Sequence, residues 1–409
     1  MKKYLLLLCF LFVYDISYSQ IEGCDGIRFR DDVFSTVGVF NDIKFGEGET
    51  FAGNFQELFL NVYEPIGDNL EKRPVIILAF GGSFIGGERS DVGFLCEAYA
   101  KKGYVAVAID YRLYDGPLVP IPSDDDFKVV VIKSVSDMKA AIRFMRQDAD
   151  TNNQFRIDPD NIFVGGVSAG SITAFHTAVL DETDDLPEDI MTILDDNGGI
   201  EGNSSSNLEY SSEVQGLVNF SGGLNNASWI DANDPPFVSI HDDMDPVVPY
   251  GGGFATVFNI PIIFMEGSQR CQEVGDSVSV LNQLRTIENS QGHVSFLFGA
   301  DNVVSSVDFT ADFLANILCG DLTSSVADFS ERLESVHSYP NPSAGLVTIS
   351  NPFNLKLEYS IFDMYGRIVT IPTQNPTLDL SNLSNGMYFL KLVDLDTRET
   401  KTEKFILEK

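Results

Sequence analysis

The sequence predicts an α/β domain with a mostly parallel sheet covered by helices, followed by a small all-β sandwich. Short apolar runs such as residues 74–80 (PVIILAF) and 104–109 (YVAVAI) are typical of strands buried on both faces. Helix-like segments such as residues 134–147 alternate with these runs as far as Cys319. Such alternation indicates a parallel sheet. After residue 337, short alternating segments separated by turns indicate the sandwich.

The remaining elements of the first domain follow the same rhythm. Residues 161–167 (NIFVGGV) predict a buried strand, and residues 168–180 predict a helix directly after it. Residues 181–212 interrupt the pattern, because they are acidic and then rich in Gly, Asn and Ser. We interpret them as a loop or small cap over the site, or as a solvated insertion. Further strands are expected at residues 58–63, 214–220, 237–240, 261–265 and 294–298.

Length and charge set limits on function. The chain has 409 residues, enough for two domains, and a formal net charge of −33 from 60 acidic and 27 basic residues. A strongly acidic protein repels nucleic acids and anionic lipids, so neither is an expected partner. Solubility outside the cell is the preferred explanation over a cationic partner. The acidic run 124–126 lacks an EF-hand pattern, so solvated surface is preferred over a calcium site.

The first residues predict a signal peptide over residues 1–19. Lys2 and Lys3 precede a short apolar segment, and small residues at Ser17 and Ser19 place the cleavage before Gln20. The apolar segment is too short to span a bilayer, and no later segment is long enough. We therefore expect a secreted or cell-surface protein without a transmembrane segment.

Cysteine usage fits an exported protein. Cys9 leaves with the signal peptide, so four of the five cysteines remain. Four cysteines allow three pairings, and we favour Cys24–Cys96 and Cys271–Cys319 because each joins segments within one half of the first domain. No Cys/His group has zinc spacing, so no metal site is expected.

Ser168 is the candidate nucleophile. Residues 166–170 (GVSAG) fit the G-x-S-x-G pattern between a predicted strand and a predicted helix. Small residues on both sides of the serine let strand and helix approach, so the hydroxyl is held at the carboxyl edge of the sheet. This context favours a catalytic serine over a chance match.

His293 is the candidate base, because a serine hydroxyl needs one. The chain has four histidines. His176 lies within the helix after Ser168 and is expected to be packed, His241 ends a strand, and His337 belongs to the linker or the second domain. His293 follows a glycine in a loop near the end of the first domain, which favours it over a surface role for that residue.

Asp245 is the candidate acid that orients the imidazole. Residues 240–249 (IHDDMDPVVP) follow a predicted strand and resemble the H-G-x-x-D-x-x-V-P segment of α/β-hydrolases, in which the aspartate is catalytic. Asp242 occupies the usual glycine position of that segment. Asp242 and Asp243 remain lesser candidates for the acid.

Backbone N–H groups are expected to bind the oxyanion of an acyl-transfer reaction. Residues 80–84 (FGGSF) resemble the H-G-G-G-[FW] element of carboxylesterases, with Phe80 in place of the histidine. This resemblance implies an oxyanion hole formed by Gly82, Ser83 and Ala169. No G-x-x-x-x-G-K-[ST] or G-x-G-x-x-G pattern supports a phosphate site.

Residues 45–320 as a whole resemble carboxylesterases and lipases of the α/β-hydrolase superfamily. The segment 110–113 (DYRL) matches a structural segment of such esterases, and Ser168, Asp245 and His293 occur in the chain order of this fold. The resemblance implies a serine carboxylic-ester hydrolase that works through an acyl-enzyme without metal or cofactor.

Three alternatives stay open. A polysaccharide acetyl or feruloyl esterase, or a polyester hydrolase, is a narrower version of the same activity. A secreted peptidase of this fold usually needs a large gating domain, for which the chain has no room. A non-catalytic esterase-like binding protein is disfavoured because all three triad candidates are present.

The C-terminal residues 337–409 resemble the sorting domain of the type IX secretion system. The residues that carry the resemblance are 339–345 (YPNPSAG), 363–367 (DMYGR), 383–392 (LSNGMYFLKL) and 404–409 (KFILEK). It implies that the type IX machinery is a partner and that the protein crosses the outer membrane of a Gram-negative bacterium. A carbohydrate-binding or adhesive module is the competing interpretation.

The predicted organisation is therefore a signal peptide at 1–19, a catalytic domain at 20–320, a linker at 321–336 and a sorting domain at 337–409.

Overall fold

The computed structural model describes residues 22–320, 333, 336–351, 355–364, 366–370, 372–395 and 400–409. The predicted signal peptide and almost all of the predicted linker lie outside the described residues, and both stay predictions.

The first domain is built on strands and helices that alternate along the chain. Its strands are β1 Val37–Glu49, β2 Phe55–Pro65, β3 Arg73–Ala79, β4 Val105–Ile109, β5 Ile157–Val167, β6 Gly216–Phe220, β7 Gly223–Leu224, β8 Phe237–Asp242, β9 Gly252–Val257, β10 Ile260–Gly267 and β11 Asn282–Ile287. Its helices are α1 Gly93–Lys101, α2 Asp124–Asp150, α3 Ala169–Val179, α4 Glu188–Asp196, α5 Ser268–Val278 and α6 Ala300–Cys319.

Eight strands form the main sheet in the spatial order β1-β2-β4-β3-β5-β6-β8-β11. The pairs from β4 to β11 are parallel, whereas β2 pairs antiparallel with both of its neighbours. Every residue of β3 and β4 is buried, as the continuous apolar runs predict for strands covered on both faces. This sheet with its flanking helices confirms the predicted α/β-hydrolase fold.

A second, three-stranded sheet in the order β7-β10-β9 lies outside the main sheet. Strands β9 and β10 form an antiparallel hairpin whose two-residue turn is Phe258 and Asn259, both with positive φ. The predicted strand 261–265 falls within β10, but it pairs in this small sheet. The predicted strand at residues 294–298 is wrong, because Ser295–Leu297 forms one 3₁₀ turn. The last strand of the main sheet is β11.

The inserted segment 181–212 packs against α2. Lys128 of α2 forms an ion pair with Asp189 of α4 at 2.8 Å. Further along α2, the hydroxyl of Ser204 donates to buried Asp137 at 2.6 Å. Asp137 also pairs with Arg112, whose guanidinium lies 2.8 Å from the carboxylate. The insertion is thus fixed along a helix by an ion pair at the surface and by a buried hydrogen bond.

The disulfide joins Cys24 to Cys319, with the two Cα atoms 5.6 Å apart. The predicted pairings Cys24–Cys96 and Cys271–Cys319 are therefore wrong. Cys96 and Cys271 are free thiols that are fully buried in α1 and α5. Burial raises the pKa of both thiols far above its usual value.

The course of the N-terminal segment explains this pairing. Arg30 donates to the side chain of Asn316 near the end of α6 at 2.6 Å. The segment therefore runs beside the C-terminal turns of α6, which brings Cys24 to Cys319. Each predicted pairing joined two cysteines within one half of the domain, whereas the observed bond links the two ends of the domain.

The C-terminal residues form a β domain with two three-stranded antiparallel sheets. Its core is separate from that of the first domain and includes Ile361, Leu390, Leu392 and Phe405, all fully buried. The predicted strand at 367–371 is reduced in the described residues to a single bridge between Phe362 and Ile368. The strands are β12 His337–Tyr339, β13 Leu346–Ser350, β14 Leu357–Asp363, β15 Thr377–Asp379, β16 Gly386–Asp394 and β17 Thr400–Leu407.

Candidate active site

Ser168 occupies a strained turn between β5 and α3. Its φ of 53° and ψ of −116° lie outside the regions that a serine usually adopts. The turn is tight because β3, β5 and α3 approach closely: a Cβ at Gly170 would lie 2.2 Å from the carbonyl oxygen of Ala79, and one at Gly166 would lie 2.3 Å from the backbone of Gly170. Any larger residue at these two positions would clash, which is why both are glycine. The turn presents the hydroxyl at the carboxyl edge of the sheet.

His293 lies in the loop between β11 and α6. Its Nε2 atom is 2.7 Å from the hydroxyl oxygen of Ser168. The two residues are 125 positions apart in the chain, so the fold alone brings them together. The distance and the ring orientation suit proton transfer from the serine.

Asp245 lies in the loop after β8, and its Oδ2 atom accepts a hydrogen bond from Nδ1 of His293 at 2.7 Å. Its Oδ1 atom accepts from the N–H groups of Val247 and Val248 at 2.8 and 3.1 Å. Burial raises the pKa of Asp245, but hydrogen bonds from His241 and His293 outweigh it and lower the pKa to about 2. The carboxylate is therefore ionised at neutral pH, beside the imidazole that it orients.

The two lesser acid candidates hold the loop that carries His293. Asp242 is fully buried and accepts hydrogen bonds from the hydroxyl of Ser290 at 2.5 Å and from the N–H of Ser295 at 2.9 Å. Asp243 accepts from the N–H groups of Asn289 and Ser290 at 2.8 and 2.9 Å. Neither carboxylate has a hydrogen bond to His293 among the described contacts. They hold the loop of the candidate base and do not hydrogen-bond to its ring.

His241 extends the network behind the acid. Its Nε2 atom lies 3.4 Å from Oδ2 of Asp245 and 3.1 Å from the carbonyl oxygen of Val248. Its Nδ1 atom lies 2.7 Å from the hydroxyl of Ser268, which in turn accepts from the amide of Asn219. Such an arrangement suits a ring with its proton on Nε2, which then donates toward Asp245. The position of His241 at the end of a predicted strand gave no sign of this contact with Asp245.

The other two histidines lie elsewhere. His176 is buried in α3, where its Nδ1 atom lies 2.8 Å from the carbonyl oxygen of Ile172 and its Nε2 atom accepts from the N–H of Asn225 at 3.3 Å. Burial lowers the pKa of His176 to about 4. His337 is in β12 of the C-terminal domain.

The loop after β3 carries the expected oxyanion donors. Gly82 and Ser83 have positive φ values of 130° and 55°, and a Cβ at Gly82 would lie 2.0 Å from the carbonyl oxygen of Gly86. Ser83 and Ala169 both line the cavity beside Ser168. Within residues 22–320, no acceptor pairs with the N–H group of Ser83 or of Ala169. Both donors are thus available to a ligand.

Phe80 takes over the anchoring of this loop. Its ring stacks on Tyr111 with centroids 4.4 Å apart, and the Tyr111 hydroxyl donates to the Phe80 carbonyl oxygen at 2.8 Å. Tyr111 belongs to the segment 110–113 that the sequence marks as structural. An aromatic contact of Phe80 therefore anchors the loop at the position where the H-G-G-G-[FW] element has a histidine.

An apolar cavity of about 440 Å³ opens beside Ser168. Its wall is formed by the start of α3, by α2 and by the inner face of the β9–β10 hairpin. No residue of the insertion 181–212 lines it, so the expected cap over the site is instead provided by the hairpin. The lining includes Phe84, Phe127, Ile172, Val257, Ile262 and Met265.

Metal ligands are lacking in the part of the chain that the structure describes: no group of three or more His, Cys, Asp or Glu side chains there could hold an ion. The acidic run 124–126 forms the first turn of α2. Asp126 caps that helix with Ser123, and Asp124 and Asp125 pair with Lys128. Among the described helices, none has the length and apolar character needed to cross a membrane.

The strand order and the strained serine turn are those of an α/β-hydrolase, and the structure brings the three candidate side chains together. Comparison with protein families agrees. Residues 60–227 match the family described as BD-FAE, and residues 337–408 match the family described as the secretion system C-terminal sorting domain. The chain therefore carries an α/β-hydrolase domain of the esterase type and a C-terminal sorting domain, as the sequence predicted.

Individual proteins are more distantly similar. Fumonisin B1 esterase from Sphingopyxis macrogoltabida is 28% identical over 151 residues, which cover 36% of this chain and 26% of that protein. The chain thus matches about a quarter of the length of this relative. Esterase 2 from Thermogutta terrifontis with bound propionate is 22% identical, covers 64% of this chain and 90% of its own, and has a TM-score of 0.47. Its native form is 23% identical over 64% and 88% of the two chains, with a TM-score of 0.45.

Proposed function

We propose that this protein is a secreted serine esterase in which Ser168, His293 and Asp245 form the catalytic triad. The observation that carries the proposal is the pair of 2.7 Å contacts that joins the hydroxyl of Ser168 to His293 and the other ring nitrogen to Asp245. This geometry is what activates a serine hydroxyl for attack on a carbonyl.

The reaction starts when Ser168 Oγ attacks the ester carbonyl carbon while Nε2 of His293 takes the hydroxyl proton. The carbonyl oxygen becomes an oxyanion, which the N–H groups of Gly82, Ser83 and Ala169 stabilise. Asp245 stabilises the imidazolium. His293 then gives its proton to the leaving alcohol, and the acyl group stays on Ser168.

Hydrolysis of the acyl-enzyme repeats these steps with water. His293 takes a proton from water, the hydroxide adds to the acyl carbon, and Ser168 leaves with the proton from His293. The products are a carboxylic acid and an alcohol. The chemistry needs no metal or cofactor.

The similarity to BD-FAE domains and to a fumonisin esterase supports an ester substrate. The acyl side faces an apolar cavity, and the strongly acidic chain disfavours polyanionic substrates. A non-catalytic binding protein is disfavoured because the strained turn at Ser168 costs free energy that binding alone does not require.

Activity on p-nitrophenyl acetate and butyrate tests the proposal. We expect the wild type to hydrolyse these esters and Ser168→Ala to lose at least about a thousandfold in kcat. Ser228→Ala, an exposed serine outside the site, is the matched control. Equal rates for the wild type and Ser168→Ala would overturn the assignment of the nucleophile.

The C-terminal domain supports export through the type IX machinery, after passage across the inner membrane by means of residues 1–19. In a bacterium that has this system, removal of residues 337–409 should leave the chain in the periplasm. Fractionation of cells expressing the full chain and the truncated chain measures this. Equal amounts in the medium would overturn the role of the tail.

A further inference from the structure

A second cavity adjoins the cavity at Ser168. It has about 330 Å³ of empty space, compared with about 440 Å³ for the first, and both spaces are partly open to solvent. Three side chains line both cavities: Val131 from α2, and Ile263 and Met265 from β10. Since the same three residues face both spaces, they form a wall between them, which we call the septum.

The first cavity has the chemistry of an acyl-binding site. It contacts both Ser168 and Ala169, so an acyl group on the serine extends into it. None of its lining residues within the described chain is charged, and its polar residues are Ser83, Ser168 and Thr256. A carboxylate or ammonium group in this space would lose its hydration without a partner. The cavity therefore favours uncharged, apolar acyl groups.

The septum sets the depth of that cavity. Val131 and Ile263 are each 8% exposed and Met265 is 1% exposed, so all three are packed in place. Met265 is the most deformable part of this wall, because its side chain is unbranched and flexible, whereas those of Val131 and Ile263 are β-branched and stiff.

The second cavity is also suited to apolar groups. Its walls include Ile132, Leu180, Ile190 and Trp229, all buried. Lys128 and Asn225 also line it, but the ammonium of Lys128 pairs with Asp124, Asp125 and Asp189, and the side-chain amide of Asn225 donates to the carbonyl oxygen of Phe264. The indole N–H of Trp229 is the one buried polar side-chain atom among these described lining residues that has no partner. The polar atoms of His176 pair with Ile172 and Asn225, so they do not demand a polar ligand. Ile190 comes from α4, which places the insertion 181–212 at this second cavity and not at the first.

We infer that the septum of Val131, Ile263 and Met265 limits the acyl-chain length that this enzyme accepts, and that its natural substrates are esters of short to medium, uncharged, apolar acids. This inference rests on the proposed function. It predicts that opening the septum joins the two cavities and extends the range of substrates to longer chains.

The test is the kcat/KM profile on p-nitrophenyl esters from acetate to laurate. We expect the wild type to reach a maximum within the series and then to decline. Met265→Ala should move the maximum to longer chains, with a gain of about fourfold for each additional methylene that enters the second cavity. Met145→Ala removes a buried methionine of α2 that lines neither cavity and is the matched control, with the maximum at the wild-type length.

A second substitution fills the space that Met265→Ala is expected to open. Ile190→Phe fills the second cavity without touching the first, and it should leave the wild-type profile in place. Combined with Met265→Ala, it should cancel the gain on long chains. If Met265→Ala fails to fold, Val131→Ala opens the same wall from α2 and carries the same expectation.

The outcomes separate the two proposals. If the protein hydrolyses short esters through Ser168 but neither septum variant shifts the maximum, the proposed role of the septum is wrong and the proposed esterase function stands. Absence of hydrolysis by the wild type would overturn the esterase itself. Equal rates on a butyrate ester and on the monosuccinate ester of the same alcohol would overturn the preference for uncharged acyl groups.

Discussion

The carboxylate of Asp242 accepts hydrogen bonds from both the backbone N–H and the hydroxyl of Ser295, two residues after His293. It also accepts from Ser290, three residues before His293. One buried side chain at the end of β8 thus holds both flanks of the loop that carries His293. Related esterases are expected to have glycine at this position, so here the loop depends on an additional contact.

Asp242→Asn should lower kcat by about 10- to 100-fold, because an amide nitrogen would face donors that now bind a charged oxygen. KM should change little, since Asp242 does not line the acyl cavity. Steady-state kinetics on p-nitrophenyl butyrate measures both values. Asp276→Asn on the exposed face of α5 is the control, and full kcat in Asp242→Asn would refute the role of this contact.

His241→Phe should reduce kcat by about tenfold, because Asp245 loses a hydrogen-bond donor and takes up a less fixed position. His241→Gln can still donate from its side chain and should recover part of the loss. Ser268→Ala acts one contact further from Asp245 and should have a smaller effect. If His241→Phe and His241→Gln were equally impaired in kcat while folding normally, the donor role would be wrong.

Stability should fall as the pH is lowered from about 6.5 to about 4, in part because of His176. Burial lowers the pKa of His176 to about 4 in the folded protein, whereas the unfolded chain binds the proton near 6.5. As the pH falls, His176 therefore binds a proton in the unfolded state before it does so in the folded state. This lowers the free energy of unfolding by up to about 3 kcal/mol over this range. Above pH 6.5 this contribution is fully present.

Urea unfolding between pH 7.5 and 4.5 measures that slope. His176→Gln should flatten it, and His337→Gln in the C-terminal domain should leave it unchanged. An identical slope in the wild type and in His176→Gln would show that other groups cause the acid sensitivity.

Reduction of the Cys24–Cys319 bond should lower the free energy of unfolding of the first domain by about 2 to 5 kcal/mol. Thermal unfolding with and without reductant measures this, and Cys24→Ser with Cys319→Ser should reproduce the reduced state. Cys96→Ala keeps the bond, so its response to reductant should match the wild type. A disulfide-linked peptide containing Cys96 or Cys271 in mass spectrometry would contradict the pairing.

The sheet and the positions of the candidate triad could be predicted because their signals are local. Buried parallel strands appear as continuous apolar runs, and the glycines around Ser168 mark a turn that only small residues permit. Strand β11 escaped prediction because its sequence NQLRTI is mostly polar and every residue is only partly buried at the edge of the sheet. Residues 294–298 are apolar enough to indicate a strand, yet they form a turn because Asp242 holds Ser295.

Other features depend on contacts that no local pattern reports. The contact of His241 with Asp245 requires the loop after β8 to fold back on the strand that precedes it. The cavity wall depends on a hairpin that leaves the main sheet, although β10 itself could be predicted from its apolar residues. The disulfide pairing required the course of the first residues along α6, which lies almost 300 positions away.

The bond between Cys24 and Cys319 also bears on maturation of the protein. A protease that releases the C-terminal domain by cutting anywhere within residues 321–336 leaves both cysteines on one fragment. With residues 1–19 removed as predicted, that fragment is a covalently closed ring, so exopeptidases outside the cell would have only the chain before Cys24 and after Cys319 as free ends to digest. Detachment from the export signal can thus leave the enzyme in a form suited to persist among extracellular proteases.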